Sequence, residues 1–210
     1  MKPAIKIEVE GKSLSYPAGI TPEEILKDQP VKNAVDLLAA QLNGTVVDMS
    51  RPLTESGTLT FINTRSPLAH DILRHSTAHI MAQAVKELFP DVKVTIGPAI
   101  EDGFYYDFDT SRPFTPEDLE RIENRMREIV KGGVSFKRIE LSREEAIQYF
   151  REHGETYKVE LIEALDFPTV SLYTQGDFTD LCRGPHIPHS GFVKAFKLTK
   201  VAGAYWRGDE

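Results

Sequence analysis

An α+β fold is predicted for this 210-residue chain, and three observations carry the prediction. Residues 1–63 alternate apolar and polar positions between turn signals, with one short helical stretch among them. From Ser66 to about residue 165 the spacing turns helical, punctuated by capping residues and Pro. Alternating stretches then return towards the C-terminal end. With 40% apolar and 27% charged residues, a sizeable core and an ordinary charged surface are both available.

The first unit reads in order as follows. Ile5, Ile7 and Val9 alternate with polar neighbours, which predicts a half-buried strand. Gly11-Lys12 turns the chain into a second strand carrying Leu14 and Tyr16. Thr21 caps a short helix whose first position is Pro22 and whose first turn holds Glu23 and Glu24. Asn43-Gly44 is a hairpin signal between Ala40-Gln41-Leu42 and Thr45-Val46-Val47, and Leu59 to Ile62 make a last strand. This order predicts a small β-grasp, ubiquitin-like domain over residues 1–63. It holds no titratable cluster and no Gly-rich phosphate loop, so no chemistry is assigned to it.

The second unit, residues 64–210, is predicted to be a larger α+β domain. Ser66 is expected to cap a helix with Pro67 at its first position, ending near Phe89 before Pro90, with Ala78, Met81, Val85 and Leu88 as its core stripe. Val92, Val94 and Ile96 predict a strand, and Phe104 to Phe108 another. A helix from Thr115-Pro116 to Gly132-Gly133 turns Leu119, Ile122, Met126 and Ile129 inward. Ser142 to Glu145 form a capping box for a third helix. A short helix near 157–165 is followed by strands at 170–173, 178–181 and 192–206.

Several classes are excluded. No apolar run is long enough to span a bilayer, and the N-terminal residues lead into a strand, not a signal-peptide apolar block. The single cysteine, Cys182, permits no disulfide within the chain and points to a reducing, cytoplasmic location. A net charge of −7 does not suggest a nucleic-acid binder. Residues 183–207, however, hold Arg183, Lys194, Lys197, Lys200 and Arg207 and no acid, which suits RNA docking at one place or, equally, a solvated strand face.

The candidate chemistry comes from two pairs. His75 and His79 are four apart on a predicted helix, so their imidazoles lie one above the other, off the core stripe. Cys182 and His186 are separated by Arg183-Gly184-Pro185, a tight loop that can bring thiol and imidazole together. By spacing alone these four residues are a natural tetrahedral zinc set. Asp180 shares a strand face with Cys182, and Lys158 stands near the predicted pocket walls.

Six strings in one order resemble the editing domain of bacterial-type threonyl-tRNA synthetases: Arg74 to His79, Ile96-Gly97-Pro98, Gly103 to Asp107, Tyr157-Lys158-Val159, Asp180 to His186, and Ala202 to Asp209. The first unit resembles the TGS module of the same enzymes, so the resemblance covers essentially the whole chain. It implies hydrolysis of serine wrongly esterified to the 3′ end of threonine tRNA. That activity restores a discrimination that one missing methyl group limits to about 10–200-fold. By resemblance His75 and Lys158 stand at the water and the reacting ester. His79, Cys182 and His186 complete the pocket, Asp180 holds the serine ammonium, Tyr106 packs on the terminal adenine, and Gly97 lets backbone approach the substrate. The resemblance also implies no metal and no cofactor, and a Lys158 ammonium directed into the pocket, which would repel a divalent ion, points the same way. The expected partners are threonine tRNA and the remainder of a synthetase, with no membrane; a free-standing editor is the other option. Two alternatives stay open: a zinc-dependent editing hydrolase of the alanyl type, and a non-catalytic RNA-binding module.

Overall fold

The computed structural model describes residues 3–203 apart from Asn33. Residues 4–63 form a five-stranded sheet from β1 (Ala4–Val9), β2 (Lys12–Pro17), β3 (Leu37–Leu42), β4 (Thr45–Val47) and β5 (Gly57–Asn63). The spatial order is β2-β1-β5-β3-β4, with β1 and β5 parallel and the other pairs antiparallel, which is a β-grasp arrangement. Local chemistry accounts for its corners. Glu10 and Gly11 at the first hairpin, and Asn43 and Gly44 at the second, all have positive φ, as two-residue hairpin turns require. Helix α1 (Pro22–Asp28) starts on a complete capping box between Thr21 and Glu24. It covers Ile5, Ile7, Val9, Leu42 and Leu59 with Ile25.

The rest of the described chain is mixed. Helices α2 (Pro67–Leu88) and α3 (Pro116–Gly132) pack together. Strands β6 (Lys93–Val94), β7 (Ala99–Ile100), β8 (Gly103–Phe104) and β9 (Phe108–Asp109) form two short ribbons between them. Strand β10 (Phe136–Ser142), helices α4 (Arg143–Glu152) and α5 (Thr156–Glu163), and strands β11 (Thr169–Gln175) and β12 (Phe178–Leu181) follow, the strands making an antiparallel sheet in the order β10-β11-β12. Capping boxes at Thr115/Asp118 and Ser142/Glu145 start α3 and α4. Among the described residues no helix is long and apolar enough to cross a membrane.

Four local expectations need correction. Ser66 stands at the N-cap of α2, but its side chain accepts no hydrogen bond there. Helix α2 is not buried along one stripe: every residue from Ser76 to Val85 is buried, because the helix shares one core with Leu38, Ala39 and Ile62 of the first sheet and with Ile122, Met126 and Ile129 of α3. The strand expected over Phe104–Phe108 breaks into β8 and β9, and the break falls where Tyr106 turns into the interior. The strand expected from Phe192 is absent over the described residues. Ser190–Phe192 make one 3-10 turn, and the Leu198 N–H donates to the Glu123 carboxylate at 2.9 Å in place of a strand partner. Its predicted end, residues 204–206, lies outside the described residues.

Candidate active site

Four parts of the fold converge on one polar cluster. The middle of α2 supplies His75, Ser76 and His79, and the segment between β6 and β9 supplies Thr95, Gly97 and Tyr106. Helix α5 supplies Lys158. Asp180 comes from β12, and the loop after it carries Cys182, Gly184 and His186. All eight residues singled out from the sequence (His75, His79, Gly97, Tyr106, Lys158, Asp180, Cys182 and His186) therefore lie in one region.

The cluster has two halves. At its mouth, His75 Nε2 lies 3.0 Å from Cys182 Sγ, and His186 Nε2 lies 3.3 Å from the same sulfur. The Gly184 N–H donates to that sulfur at 3.2 Å. Ser76 Oγ is 3.0 Å from His186 Nδ1 and accepts from the Ile187 N–H at 3.2 Å, which pins the loop to α2. The His186 ring stacks between those of His75 and Phe136, with centroids 4.4 and 4.9 Å away. His75, Gly97 and Cys182 are half-buried and face outward, while His79 and His186 lie behind them, buried.

The floor is charged. Lys158 and Asp180 are 2% and 1% exposed, and Lys158 Nζ lies 2.6 Å from Asp180 Oδ1. The same ammonium donates to the Thr95 carbonyl at 2.5 Å and to the Tyr106 hydroxyl at 3.1 Å. The Tyr106 hydroxyl in turn donates to Asp180 Oδ2. The Lys158 side chain thus meets two hydrogen-bond acceptors and one carboxylate charge inside the fold. His79 Nε2 stands 3.7 Å from Asp180 Oδ2, and the buried His79 Nδ1 has no hydrogen-bond partner among the described residues.

Electrostatics separates the halves further. Burial lowers the pKa of His75, against the pull of the Asp180 charge and a hydrogen bond to the Gly97 backbone. Burial brings His79 down to about 3, again opposed by Asp180. It holds His186 well below the usual histidine range, helped by the neighbouring His79 and His75. The Cys182 thiol is pushed up to about 12 by burial, which outweighs the Gly184 N–H. Burial also pushes against ionisation of Asp180. The Lys158 charge, His79 and the hydrogen bonds from Lys158 and Tyr106 outweigh it and keep the carboxyl below its ordinary value. At neutral pH the site therefore holds one ion pair, three neutral imidazoles and a protonated thiol.

Two expected roles change. The Tyr106 ring is 7% exposed and stacks on Phe108 at 5.1 Å, so it is no open platform for an adenine. The group it presents to the cluster is its hydroxyl. A Cβ at Gly97 would fall 2.0 Å from the Tyr106 ring, so the side of Gly97 that a side chain would occupy is taken by that ring.

The four residues His75, His79, Cys182 and His186 place one ligand atom each within 4.8 Å of one another, and three imidazoles and a thiol suit zinc by type. Ligation would require Cys182 to lose its proton. Because Lys158 is paired with Asp180, its repulsion of a cation is weaker than its bare charge suggested.

Sequence reasoning missed Ser76, Thr95, Tyr173 and Asp48, all buried polar residues in or under the cluster. Ser76 was open to discovery, since it adjoins His75 on the same helix. Thr95 acts through its carbonyl, which no residue type signals. Two cavities border the region. One of about 390 Å³ reaches Cys182 past Ser171, Leu181 and Arg183. The other, about 610 Å³, is lined by Gln83, Lys86, Tyr149 and His153 and by none of His75, His79 and His186.

Residues 170–210, which include Asp180, Cys182 and His186, match the threonyl and alanyl tRNA synthetase second additional domain. Over nearly its whole length the chain resembles threonine–tRNA ligases. It is 54% identical to that of Citrifermentans bemidjiense over 201 residues, covering 96% of this chain and 32% of the relative. It is 54% identical to that of Syntrophotalea carbinolica over 209 residues, covering 98% and 33%. With that of Pelobacter propionicus identity is 58% over 173 residues, covering 82% and 27%. The chain spans about a third of the length of the curated threonine–tRNA ligases it matches.

Proposed function

We propose that this chain is the proofreading part of a threonyl-tRNA synthetase, cutting the ester that joins serine to the 3′ end of threonine tRNA. Residues 1–63 would be a TGS-like module and residues 64–210 the editing domain. The observation that supports the reading most is the buried Lys158–Asp180 pair directly behind the half-open His75–Cys182 mouth. An amino-acid ester brings an ammonium that needs a buried carboxylate and a carbonyl that needs a donor when it becomes an oxyanion. Asp180 answers the first need. As the substrate ammonium takes up part of its charge, Lys158 Nζ, still held by the Thr95 carbonyl, has a donor to turn towards the oxyanion.

His75 is the base at the mouth. Its neutral imidazole takes a proton from water as the water oxygen bonds to the ester carbon. It returns that proton to the ribose oxygen as the ester C–O bond breaks. Cys182 and His186 hold His75 in place, and His79 backs the ion pair. The protonated thiol is not the nucleophile. Outside the pocket, Arg183, Lys194 and Lys200 are exposed on the acid-free segment and suit the tRNA backbone. Lys197 is paired with Glu123, and Arg207 lies outside the described residues. A cytoplasmic location follows from the partner, threonine tRNA.

The four-ligand cluster favours one second reading, a zinc-dependent hydrolase of the alanyl type. Ester loss from seryl- and threonyl-forms of threonine tRNA, and from seryl-alanine tRNA, separates the two. The proposal expects rapid cleavage of the first and sparing of the other two. Preference for the alanine tRNA, or no cleavage at all, would sink it.

A further inference from the structure

Asp48 belongs to the first sheet, just after β4, yet its side chain works beneath the pocket. It is 5% exposed, and both carboxylate oxygens are engaged across 125 and 138 residues of sequence. Oδ1 accepts from the backbone N–H of His186 at 2.7 Å, and Oδ2 accepts from the Tyr173 hydroxyl at 2.5 Å. Tyr173 is itself buried on β11, and its ring meets the His186 ring edge-on with centroids 4.5 Å apart. Its hydroxyl fills the space under Gly184, where a Cβ would lie 2.0 Å from that oxygen. Gly184 has φ +71 and gives its N–H to the Cys182 sulfur. One carboxylate therefore holds the Cys182–His186 loop at two points, at Gly184 through Tyr173 and at His186 directly.

A buried carboxylate costs desolvation that a close-packed apolar side chain would avoid, so stability alone is a weak reason for it here. What it supplies is geometry: two acceptors a fixed distance apart, on a sheet whose core is continuous with α2. Helix α2 carries His75 and Ser76, so loop and helix are referred to the same frame.

We propose that Asp48 is a positioning residue for the pocket, through which the N-terminal sheet sets His186, Gly184 and the Cys182 thiol against His75. This rests on the ester-hydrolysis reading. Displacing a reacting group by about 1 Å can cost on the order of 100-fold in rate.

The test compares wild type, Asp48→Ala, Asp48→Asn and Tyr173→Phe on seryl-threonine tRNA, alongside thermal melting and hydrogen exchange of the His186 amide. Asp48→Ala should lower kcat by about 10- to 100-fold while KM stays within about twofold, and should speed exchange at the His186 amide. Asp48→Asn keeps an acceptor for the His186 N–H and a donor facing Tyr173, so it should recover most of kcat. Tyr173→Phe should fall between them. Wild-type kcat with an equally protected His186 amide in Asp48→Ala would overturn the proposal. So would equal losses in Ala and Asn variants that track melting temperature alone. If wild type itself fails to cleave seryl-tRNA, the hydrolysis reading fails, and the amide exchange still decides whether Asp48 holds the loop.

Discussion

The two halves of the pocket differ in what keeps them in place. The floor is an ion pair: Lys158 and Asp180 lie 2.6 Å apart, nearly sealed from water. The mouth is neutral: half-buried His75 and Cys182 lean on each other and on the buried His186 through weak contacts. The floor should therefore be costly to break and the mouth cheap in stability, although the proposed hydrolysis uses both.

Breaking the floor should give the largest effect. Lys158→Met leaves the Asp180 carboxylate buried without its cation and should cost about 3–5 kcal/mol in urea unfolding, with deacylation lost. Adding Asp180→Leu should restore most of the stability and none of the activity. A double variant as unstable as Lys158→Met would show that the pair is not the organising feature. His75→Ala sharpens the contrast from the other side. Deacylation should fall by about 10²–10⁴-fold, while unfolding free energy changes by roughly 1 kcal/mol or less. A stability loss as large as that of Lys158→Met would erase the distinction.

Acid should expose the neutral half without mutation. Unfolded histidine protonates near 6.5, whereas folded His79 resists protonation until about 3. Below about pH 6.5 the unfolded chain then binds more protons than the folded one. Stability contributed by His79 is full above that value and is lost as pH falls towards 3, with a slope of up to about 1.4 kcal/mol per pH unit. His75 and His186 are shifted in the same direction and steepen the loss. Denaturant melts between pH 7 and pH 5 check this, and a flat profile would mean the imidazoles are charged in the folded state. The smallest effect should come at Cys182. With its thiol near 12, alkylation by iodoacetamide at pH 7.5 should run at least about 100-fold slower than for free cysteine. Cys182→Ser should keep deacylation within about tenfold. Loss of all activity there would make the sulfur a reacting group.

The same division explains what was legible beforehand. Turn and capping residues are local, so the hairpins at Gly11 and Asn43-Gly44 and the caps at Thr21, Thr115 and Ser142 could be read directly. The eight pocket residues stood out because their types are chemically distinctive and their strings resemble a known family. Asp48 and Tyr173 gave no signal, because their meaning depends on two units meeting in space. Tyr106 misled for a related reason: an aromatic in a binding string suggests a platform, and only packing against Gly97 and Phe108 shows that the ring is covered and its hydroxyl meets the buried ion pair. The tail strand failed because strand pairing is not local, and Glu123 took the backbone N–H that a ladder would have used.

The neutral mouth supplies three of the four residues of the zinc set, so metal content and rate measured on one sample bear most directly on the account. Protein prepared without added metal, stripped with chelator and assayed for zinc, should hydrolyse seryl-threonine tRNA at the untreated rate with far less than one zinc per chain. A rate that falls with zinc content and returns when zinc is restored would contradict it.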